Sequence, residues 1–483
     1  MNEALQPKTL VMKFGGTSVG TPHAVSEVVK IVRNALRDWE RVVVVTSALS
    51  GVTNQLLDSA RAAATGDVRL FQATANTLRQ RHLDMIDDLI QETARQAQVK
   101  YEIEHLVEDF SNFCQAISVL GEASSRALDA VAALGERMSV RILSEALDSA
   151  GITAQMVEAT RVIVTDDHYQ SANPLLSETR QQTQEVLNPI LESGSVPVVT
   201  GFIAATRQGT TATLGRGGSD YSAAILAVSI PADEVWIWTD VDGVMSADPR
   251  RVPEACTIPV LTFKEVGELA YFGAKVLHPK TIRPVIEAGI GLKVRNTFHP
   301  NHPGTRIIAD QHTTNGMAAP DSVVKAVTLI SGLSLVTLEG RGMLGVPGVA
   351  ARTFEAVAAT GTSVPLISQA SSEQSICFAA PLEVVPEIIQ ALEGIFAREI
   401  GRRDIDRVWA TEEVVILTAV GEGMRHTPGV AGRIFTALGK LGVNVIAIAQ
   451  GSSEVSISLV VDAVDADAGL RALHELVKNC TDR

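Results

Sequence analysis

Cysteine is scarce in this sequence, whose 483 residues contain only Cys114, Cys256, Cys377 and Cys480. The four are scattered, and none stands in a CxxC pair. Because disulfide frameworks and zinc sites are typically marked by closely spaced cysteines, the sequence predicts neither. A reducing compartment fits this cysteine usage best.

Basic residues are also fewer than acidic residues. The chain has 41 lysines and arginines against 55 aspartates and glutamates, which gives a formal net charge of −14. General nucleic-acid binders and proteins held on anionic membranes need a basic face, so the composition argues against both partners. Any polyanionic ligand must therefore be held by cations that are placed locally.

Long apolar runs are missing as well. The N-terminal sequence MNEALQPKTLV lacks the basic start and the continuous apolar stretch of a signal peptide. Elsewhere no apolar run reaches the ~20 residues that a membrane-spanning helix needs. We therefore expect a cytoplasmic protein that has no membrane partner.

The remaining composition is that of a globular α/β protein. The length suggests about three domains, and 46% of the residues are hydrophobic. In the first two-thirds of the chain, short β-branched runs alternate with helical stretches, which indicates a largely parallel sheet covered by helices. The predicted strands are Thr9 to Phe14, Arg41 to Thr46, Arg161 to Thr165, Val196 to Ile203 and Glu234 to Thr239. Ligands of such sheets bind at the carboxyl ends of the strands.

Proline is absent between Pro22 and Pro174, and apolar residues recur there at helical spacing. This predicts a helical elaboration over about residues 55–130, peripheral to the sheet. The stretch 299–321 is rich in proline, glycine and polar residues, as an interdomain connection would be. We expect a catalytic domain over residues 1–310 and a linker over 311–322.

The last third of the chain contains an internal repeat. GMLGVPGVAARTF begins at Gly342 and GMRHTPGVAGRIF at Gly423, 81 residues later; SQASSEQSI and AQGSSEVSI, at Ser368 and Ala449, are separated by the same 81 residues. Each copy has the pattern of a strand, a loop, a helix and a strand pair. Two copies are too few for a solenoid, so we predict a pair of small βαββ modules.

The segment VMKFGGTS, residues 11–18, ends a predicted strand with a lysine that precedes two glycines. Glycines at a strand end often cradle phosphate, but in the familiar phosphate loop the lysine follows the glycines. A plain turn beside a solvated lysine explains the same residues. Taken alone, this segment leaves both interpretations open.

A second glycine cluster, TLGRGGSDYSAA at residues 213–224, surrounds Arg216 and then begins a helix at Ser219 and Asp220. A glycine nest before a helix start offers unpaired backbone amides to an anion. An N-capped helix after a flexible turn explains the serine and the aspartate but not the arginine. The cluster therefore favours anion binding.

Three further segments do not indicate a function when each is considered alone. WTDVDGVMSADPR, residues 238–250, ends a strand in a turn-rich loop whose carboxylate spacing does not match a calcium-binding EF-hand. YFGAKVLHPK, residues 271–280, carries Lys275 and His278, and a histidine beside a proline is typical of a structural residue. ALGERMSVRILSEAL, residues 133–147, predicts an amphipathic helix with Glu136 in its first turn, which is typical of an interaction with the helix dipole.

Taken in order, KFGGTSV, TSALSGVTN, LGERMSV, TLGRGGSDYSAA, WTDVDGVMSADPR and FGAKVLHP resemble the aspartate kinase (aspartokinase) family. The repeated module resembles the paired ACT regulatory domains of that family, and is most similar to those of bifunctional aspartate kinase-homoserine dehydrogenases. Because the chain ends soon after the second module, we expect a monofunctional kinase. The resemblance implies a carbamate kinase-like amino acid kinase α/β/α sandwich, followed by two ferredoxin-like ACT domains over residues 323–403 and 404–483.

The resemblance also implies a reaction, the ATP-dependent phosphorylation of L-aspartate to 4-phospho-L-aspartate. This step begins the synthesis of aspartate-family amino acids (lysine, threonine and methionine) or of ectoine. Mg²⁺ would be carried by ATP, with no metal site of the protein's own. The implied residues are Lys13 and Asp220 for catalysis; Ser47, Thr53, Glu136, Arg216 and Ser219 for aspartate binding; and Gly15, Gly16, Thr17, Gly217, Gly218, Thr239, Asp240, Arg250, Lys275 and Val276 for ATP binding. Many relatives have tyrosine at the position of Met245.

Such chemistry needs no catalytic histidine. A carboxylate acceptor, with a pKa near ~4, is already ionised at neutral pH, so no base is required to create the nucleophile. The difficulty is that one anion must approach another. Catalysis then consists of aligning donor and acceptor while cations and amides neutralise the phosphoryl oxygens.

Two alternatives remain open from the residues. The same fold could phosphorylate another acid, or the chain could be an amino-acid-sensing regulatory subunit with weak or no kinase activity. For regulation, Gln369 and Gln450 are the candidate contacts of an effector such as threonine or lysine, although glutamines at these positions could simply complete strand hydrogen bonding. Edge strands in the modules predict a homodimer or a larger homo-oligomer.

Overall fold

The computed structural model describes residues 7–274, 277–309, 323–343, 345–370 and 374–477. These residues form two compact units. The first contains the described parts of Met1–Val244, Pro259–Phe263 and Leu277–Ala309, and the second those of Met245–Ile258, Lys264–Val276 and Asp310–Arg483. The predicted linker, 311–322, lies outside the described residues.

The first unit is built on a mainly parallel β-sheet. Its strands are β1 (Thr9–Phe14), β2 (Arg41–Thr46), β3 (Ala154–Val157), β4 (Val164–Thr165), β5 (Val196–Thr200), β6 (Ile203–Thr206), β7 (Thr211–Thr213), β8 (Glu234–Thr239), β9 (Val260–Thr262), β10 (Gly291–Asn296) and β11 (Thr305–Ile308). The larger sheet has the order β3-β5-β2-β1-β8-β10-β11-β9, in which β11 runs antiparallel to β10. A smaller sheet has the order β4-β6-β7. Because both faces of the larger sheet are covered, β1 and β2 are almost continuously apolar.

Helices lie between these strands in the chain. They are α1 (Pro22–Asp38), α2 (Val52–Ala64), α3 (Val68–Leu89), α4 (Thr93–Leu120), α5 (Ser125–Ser149), α6 (Leu176–Glu192), α7 (Gly218–Ser229), α8 (Phe263–Tyr271) and α9 (Pro279–Glu287). The predicted helical elaboration corresponds to α2, α3 and α4. The helices α3 and α4 pack mainly on one another, α1, α2 and α5 and not on the strands. Their buried residues Leu78 and Phe110 extend the apolar cluster that also contains Leu10 and Val44 of the sheet.

The strand predictions have a mixed outcome. The expected bounds of β1, β2 and β8 are confirmed. The prediction of a strand from Arg161 to Thr165 is wrong in its first part, where a 3₁₀ turn occupies Ala159–Arg161. The run from Val196 to Ile203 is broken at Phe202, whose φ of 65° lies in the left-handed region and not in the strand region. As a result, β5 and β6 belong to different sheets.

The second unit contains the repeated modules. Its strands are β12 (Ala326–Glu339), β13 (Ile367–Gln369), β14 (Ser375–Pro381), β15 (Arg407–Val420), β16 (Val445–Ala449) and β17 (Ser456–Asp462), and its helices after α8 are α10 (Val349–Ala359), α11 (Val385–Ile395), α12 (Ala397–Arg402), α13 (Val430–Lys440) and α14 (Ala466–His474). The predicted strand, helix and strand pair occur in each copy. The antiparallel strands form one sheet of order β13-β14-β12-β15-β17-β16, with β12 and β15 at its centre.

Two expectations drawn from scarce features can be compared with the structure. Cys114 and Cys377 carry free thiols, and Cys480 lies outside the described residues. Within the part of the chain that the structure describes, we find no helix with the length and apolar character needed to cross a membrane.

Candidate active site

A cavity of about 690 Å³ in the first unit gathers most of the residues singled out from the sequence. It lies where the loops after β1 and β2 meet the start of α7. The predicted site residues in its lining are Lys13, Gly15, Gly16, Thr17, Ser47, Thr53, Glu136, Arg216, Gly217, Gly218, Ser219, Asp220 and Thr239. Segments about two hundred residues apart in the chain thus share one cavity.

An ion pair joins the two glycine clusters. Lys13 Nζ, at the end of β1, lies 2.7 Å from Asp220 Oδ1, in the first turn of α7. The two side chains are 12% and 15% exposed, so water screens their attraction less than at an open surface. The pair holds an ammonium group at a fixed place in the cavity wall, where an incoming anion could reach it.

The loop after β1 approaches the loop after β2 too closely for a side chain at Gly16. A Cβ atom there would lie 2.9 Å from the Ala48 carbonyl oxygen and 3.2 Å from the Ser50 nitrogen. The Ser50 amide donates a hydrogen bond to the Gly16 carbonyl at 3.0 Å. Glycine is therefore required at this position by packing, and it leaves backbone, not side chain, facing the cavity.

The start of α7 is shaped for an anion. Its N-cap, Gly217, has a φ of 71° and supplies no side-chain hydrogen bond to the helix. The helix begins at Gly218, so the expectation that it begins at Ser219 and Asp220 is off by one residue. The Gly218 amide donates to the Gly215 carbonyl at 2.9 Å. Since no side chain caps the first turn, the following amides and the positive end of the helix dipole are available to a negatively charged ligand.

Glu136 is the site residue whose sequence interpretation fails. The helix α5 begins at Ser125, after the N-cap Ser124, so Glu136 lies in the middle of the helix and its assignment to a first turn is wrong. Its side chain is buried, and Oε1 accepts a hydrogen bond of 3.2 Å from the Ala48 amide. Oε2 is buried and has no hydrogen-bond partner among the described residues.

The environment of Glu136 changes its acidity. Burial raises the pKa of this carboxyl to about 8, while the Ala48 amide and the charge of Lys13 act in the opposite direction. At neutral pH the group is therefore mainly protonated. An ammonium group placed beside Oε2 would stabilise the ionised form and supply the hydrogen-bond partner that this oxygen lacks in the described structure.

Asp129 is a lining residue that sequence reasoning missed. It lies two turns before Glu136 on α5, and its buried carboxylate accepts hydrogen bonds from the Gln170 amide, the Thr213 amide and the Thr213 hydroxyl. Burial raises the pKa of Asp129, and these donors partly oppose the shift. The carboxylate fixes the strand end that leads into the Arg216 cluster. Its seven-residue spacing from Glu136 was a usable signal, since both fall on one helical face.

Arg216 and three hydroxyl residues complete the cavity wall. Arg216 is exposed, and no ion pair connects it with another residue in the described ranges. Ser47, Thr53 and Ser219 are half-buried in the same lining. A cation and several short hydroxyl donors around one cavity can together bind a carboxylate.

The residues predicted for the nucleotide are less completely gathered. Thr239 lines the cavity, and its hydroxyl donates to Asp240 Oδ1 at 3.1 Å, but Asp240 itself is exposed and outside the lining. Arg250 belongs to the second unit, where it pairs with Asp248 at 2.7 Å. Lys275 and Val276 lie outside the described residues.

The remaining residues that the sequence analysis named lie outside the cavity lining. His278 is the N-cap of α9 and accepts a hydrogen bond from the Lys280 amide at 3.2 Å, which confirms its structural interpretation. Met245 forms an isolated β-bridge with Thr257 in the second unit. Gln369 ends β13 and Gln450 follows β16, and both are exposed. A search of the described residues finds no group of histidine, cysteine and acidic side chains able to hold a metal ion.

Comparison with known proteins now gives the family. Residues 8–296 match the amino acid kinase family, and residues 336–396 and 417–476 each match an ACT domain. The aspartokinase of Schizosaccharomyces pombe is 30% identical over 96% of this chain and 92% of its own. The chain is a member of the aspartokinase family. Its fold is the amino acid kinase α/β fold followed by ACT domains.

Other aspartokinases extend the comparison. The chloroplastic bifunctional aspartokinase/homoserine dehydrogenase 1 of Arabidopsis thaliana is 37% identical over 96% of this chain, which spans about half (50%) of that relative's length. Crystal structures of Escherichia coli aspartokinase III, one with aspartate and ADP and one with lysine and aspartate, are 28% and 29% identical to the chain. The TM-scores of the two structures are 0.78 and 0.76. Each alignment includes 97% of this chain, and it includes 100% of the first E. coli chain and 99% of the second.

The buried carboxyl of Glu136 generates a testable pH dependence. Its pKa of about 8 in the folded chain exceeds the 4.5 of a free glutamate. Between pH 4.5 and 8 the carboxyl is therefore protonated to a larger extent in the folded state than in the unfolded state. The stabilisation linked to this proton is fully present below pH 4.5 and is lost as the pH rises towards 8. The contribution of this carboxyl to the slope of the unfolding free energy against pH, up to about 1.4 kcal/mol per pH unit, should be absent in Glu136→Gln.

Urea unfolding of the parent and Glu136→Gln between pH 5 and 8.5 measures the slope. Glu145→Gln, on the same helix but half-exposed and paired with Arg95, is the matched control and should keep the parent's slope. Equal slopes in the parent and Glu136→Gln would show that the carboxyl is not held neutral by burial.

Proposed function

We propose that this chain transfers the γ-phosphoryl group of Mg-ATP to the side-chain carboxylate of L-aspartate, yielding 4-phospho-L-aspartate and ADP. The observation that carries the proposal is the Lys13–Asp220 pair in a cavity that also contains Glu136 and Arg216. The reaction would begin the synthesis of aspartate-family amino acids or of ectoine. Membership of the aspartokinases and the aspartate and ADP bound by E. coli aspartokinase III support it.

The polar groups of the cavity fit a small zwitterion that has a second carboxylate. Arg216 can pair with one carboxylate, and the hydroxyls of Ser47, Thr53 and Ser219 can donate to it. The buried Glu136 Oε2 suits the ammonium group. These contacts orient the remaining carboxylate as the acceptor.

The phosphate groups would bind between the two glycine clusters. Lys13 lies at one side, with backbone from Gly15 and Gly16; the start of α7, with Gly217 and Gly218, lies at the other. Mg²⁺, carried by ATP, supplies further positive charge to the phosphate oxygens. Thr17, Thr239, Asp240, Arg250, Lys275 and Val276 are proposed as the remaining nucleotide contacts.

The transfer itself needs no proton acceptor. An oxygen of the ionised aspartate side chain attacks the γ-phosphorus, and the bond from that phosphorus to the β,γ-bridging oxygen breaks, so that ADP leaves with the electron pair. Lys13 stabilises the charge on the transferred group. Asp220 keeps the Lys13 ammonium in place and does not act as a base, because the acceptor carboxylate is already ionised.

The paired ACT modules support regulation by an amino acid. In this proposal Gln369 and Gln450 contact the effector, threonine or lysine, and E. coli aspartokinase III has been solved with lysine. The edge strands β13 and β16 expose Ile367, Ile446 and Ile448. Such edges support a homodimer or a larger homo-oligomer.

A kinase assay tests the reaction. Purified chain, Mg-ATP and L-aspartate should release ADP, and hydroxylamine should trap the acyl phosphate. Lys13→Ala should lower kcat about a hundredfold or more, because it removes a preorganised charge that stabilises the transition state. Lys30→Ala is the matched control: this lysine is 61% exposed on α1 and pairs only with the neighbouring Glu27 in the described structure.

Three outcomes would contradict the assignment. If the parent releases no ADP with aspartate but does so with another acid, the acceptor is wrong. A parent that is inactive with every acid and yet binds threonine or lysine is a sensing subunit instead. Should Lys13→Ala and Lys30→Ala both keep the parent's kcat, the role of Lys13 is wrong.

Effector binding can be measured separately by calorimetry with L-threonine and L-lysine. Gln369→Ala and Gln450→Ala should each weaken the binding of the effector about tenfold, the effect of one lost hydrogen bond at a desolvated site. Gln390→Ala, an exposed glutamine on α11, should leave the affinity unchanged. If neither amino acid binds the parent, or if all three variants bind as the parent does, the proposed effector contacts are wrong.

A further inference from the structure

Arg81, on α3, reaches two loops of the candidate active site although it is not part of the cavity lining. Its Nη1 donates a hydrogen bond to the Ser50 carbonyl oxygen at 2.8 Å, and its Nη2 donates to the Gly20 carbonyl oxygen at 3.2 Å. A single guanidinium group therefore bridges two segments that are 30 residues apart in the chain. Arg81 is half-buried and belongs to the helical segment that the sequence suggested was peripheral.

The two carbonyl groups belong to the loops that frame the cavity. Gly20 closes the loop that follows β1 and contains Gly15 and Gly16. Ser50 lies in the loop that follows β2 and begins with Ser47. In the proposed reaction, the first loop faces the phosphates and the second faces aspartate, so their separation sets the distance between donor and acceptor.

These loops already touch with little free space. The Ser50 amide bonds to the Gly16 carbonyl at 3.0 Å. A Cβ atom on Gly20 would lie 2.9 Å from the same carbonyl oxygen and 3.7 Å from Arg81 Nη2. Arg81 thus closes a compact arrangement in which each loop contacts both the other loop and the guanidinium group.

The bridge depends on the shape of arginine. The guanidinium group is a planar fork whose nitrogens donate in fixed directions, so it can hold two acceptors at a defined separation. A lysine ammonium is a compact point charge on a flexible stem. It could replace one of the two hydrogen bonds but would not fix both carbonyls.

We propose that Arg81 is a positioning residue, which fixes the loop after β1 against the loop after β2 and so sets the distance between phosphoryl donor and acceptor. It does this from outside the cavity, through backbone carbonyls, and touches neither substrate. The role in catalysis rests on the proposed aspartate kinase reaction; the holding of the two loops does not.

Kinetics test the catalytic part. Arg81→Met should lower kcat about tenfold to a hundredfold, as expected when reacting groups are displaced by about 1 Å. The Kd for ADP, measured without aspartate, should stay within about twofold of the parent, because each loop keeps its own ligand contacts. Arg81→Lys should fall between Arg81→Met and the parent.

Arg79→Met is the matched control. Arg79 lies on the same helix, 36% exposed, but donates to the side chains of Glu104 and Asn76 and not to the loops. It should keep the parent's kcat. If Arg81→Met also keeps it, or if Arg79→Met loses as much, the positioning role is overturned.

Hydrogen exchange tests the loops without any substrate. The Ser50 amide, bonded to Gly16, should exchange at least tenfold faster in Arg81→Met than in the parent or Arg79→Met, while amides in β1 and β2 exchange as in the parent. Unchanged exchange at Ser50 would overturn the inference, and so would equal acceleration throughout the first unit, which indicates a general loss of stability. If Arg81→Met does not fold, the same two measurements, kcat and hydrogen exchange at the Ser50 amide, are made on Arg81→Lys.

This design separates the two proposals. A parent with no aspartate kinase activity but with Arg81-dependent protection of Ser50 would contradict the proposed function alone. A parent that phosphorylates aspartate, with kcat and Ser50 exchange independent of Arg81, would contradict only the further inference.

Discussion

The ion pair between Lys13 and Asp220 is the contact on which the candidate site depends. It joins the end of a central strand, β1, to the first turn of α7, so it fixes two backbone surfaces that are both suited to phosphate. The pair is mostly withdrawn from water, so the attraction between the two charges is screened less than at an open surface. The negative Asp220 also lies near the positive end of a helix dipole, which stabilises it there. Each partner therefore gives the other a defined place.

The same pair helps to explain how an acidic chain could bind two anions. With a net charge of −14, the protein as a whole repels ATP and aspartate. The cavity counters this locally with Lys13, Arg216 and the uncapped start of α7. Glu136 adds no full negative charge at neutral pH, because burial raises its pKa to about 8. An ammonium group beside Glu136 would stabilise its ionised form, so binding of such a ligand would favour loss of the proton from this carboxyl.

Local sequence predicted those features that depend on neighbouring residues. The bounds of β1, β2 and β8 follow from buried apolar runs that stop at polar or glycine residues, and the two ACT modules follow from a repeat that keeps its 81-residue register. Local sequence indicated anion binding at the second glycine cluster but did not bring the two clusters together, since the second follows β7, which lies in the smaller sheet. The family resemblance, not the local pattern, supplied the roles of the residues.

Long-range contacts account for most of what was missed. The start of α5 does have a local signal, the N-cap Ser124, which the prediction of a helix over residues 133–147 overlooked. The raised pKa of Glu136 has no such signal, because it depends on burial against the loop of Ala48. The break at Phe202 depends on a positive φ that few sequence patterns predict. Arg81 gave no signal, since its acceptors are backbone carbonyls in two distant loops.

A double-mutant cycle on Lys13 and Asp220 tests the central claim most directly. If the pair acts as a unit, kcat/KM for aspartate should fall in Lys13→Met and in Asp220→Asn, and the double variant should be no worse than about twofold below Lys13→Met. Asp220 would then matter only through the lysine that it holds. A double variant whose loss equals the product of the two single losses would contradict the account, because the two side chains would act independently.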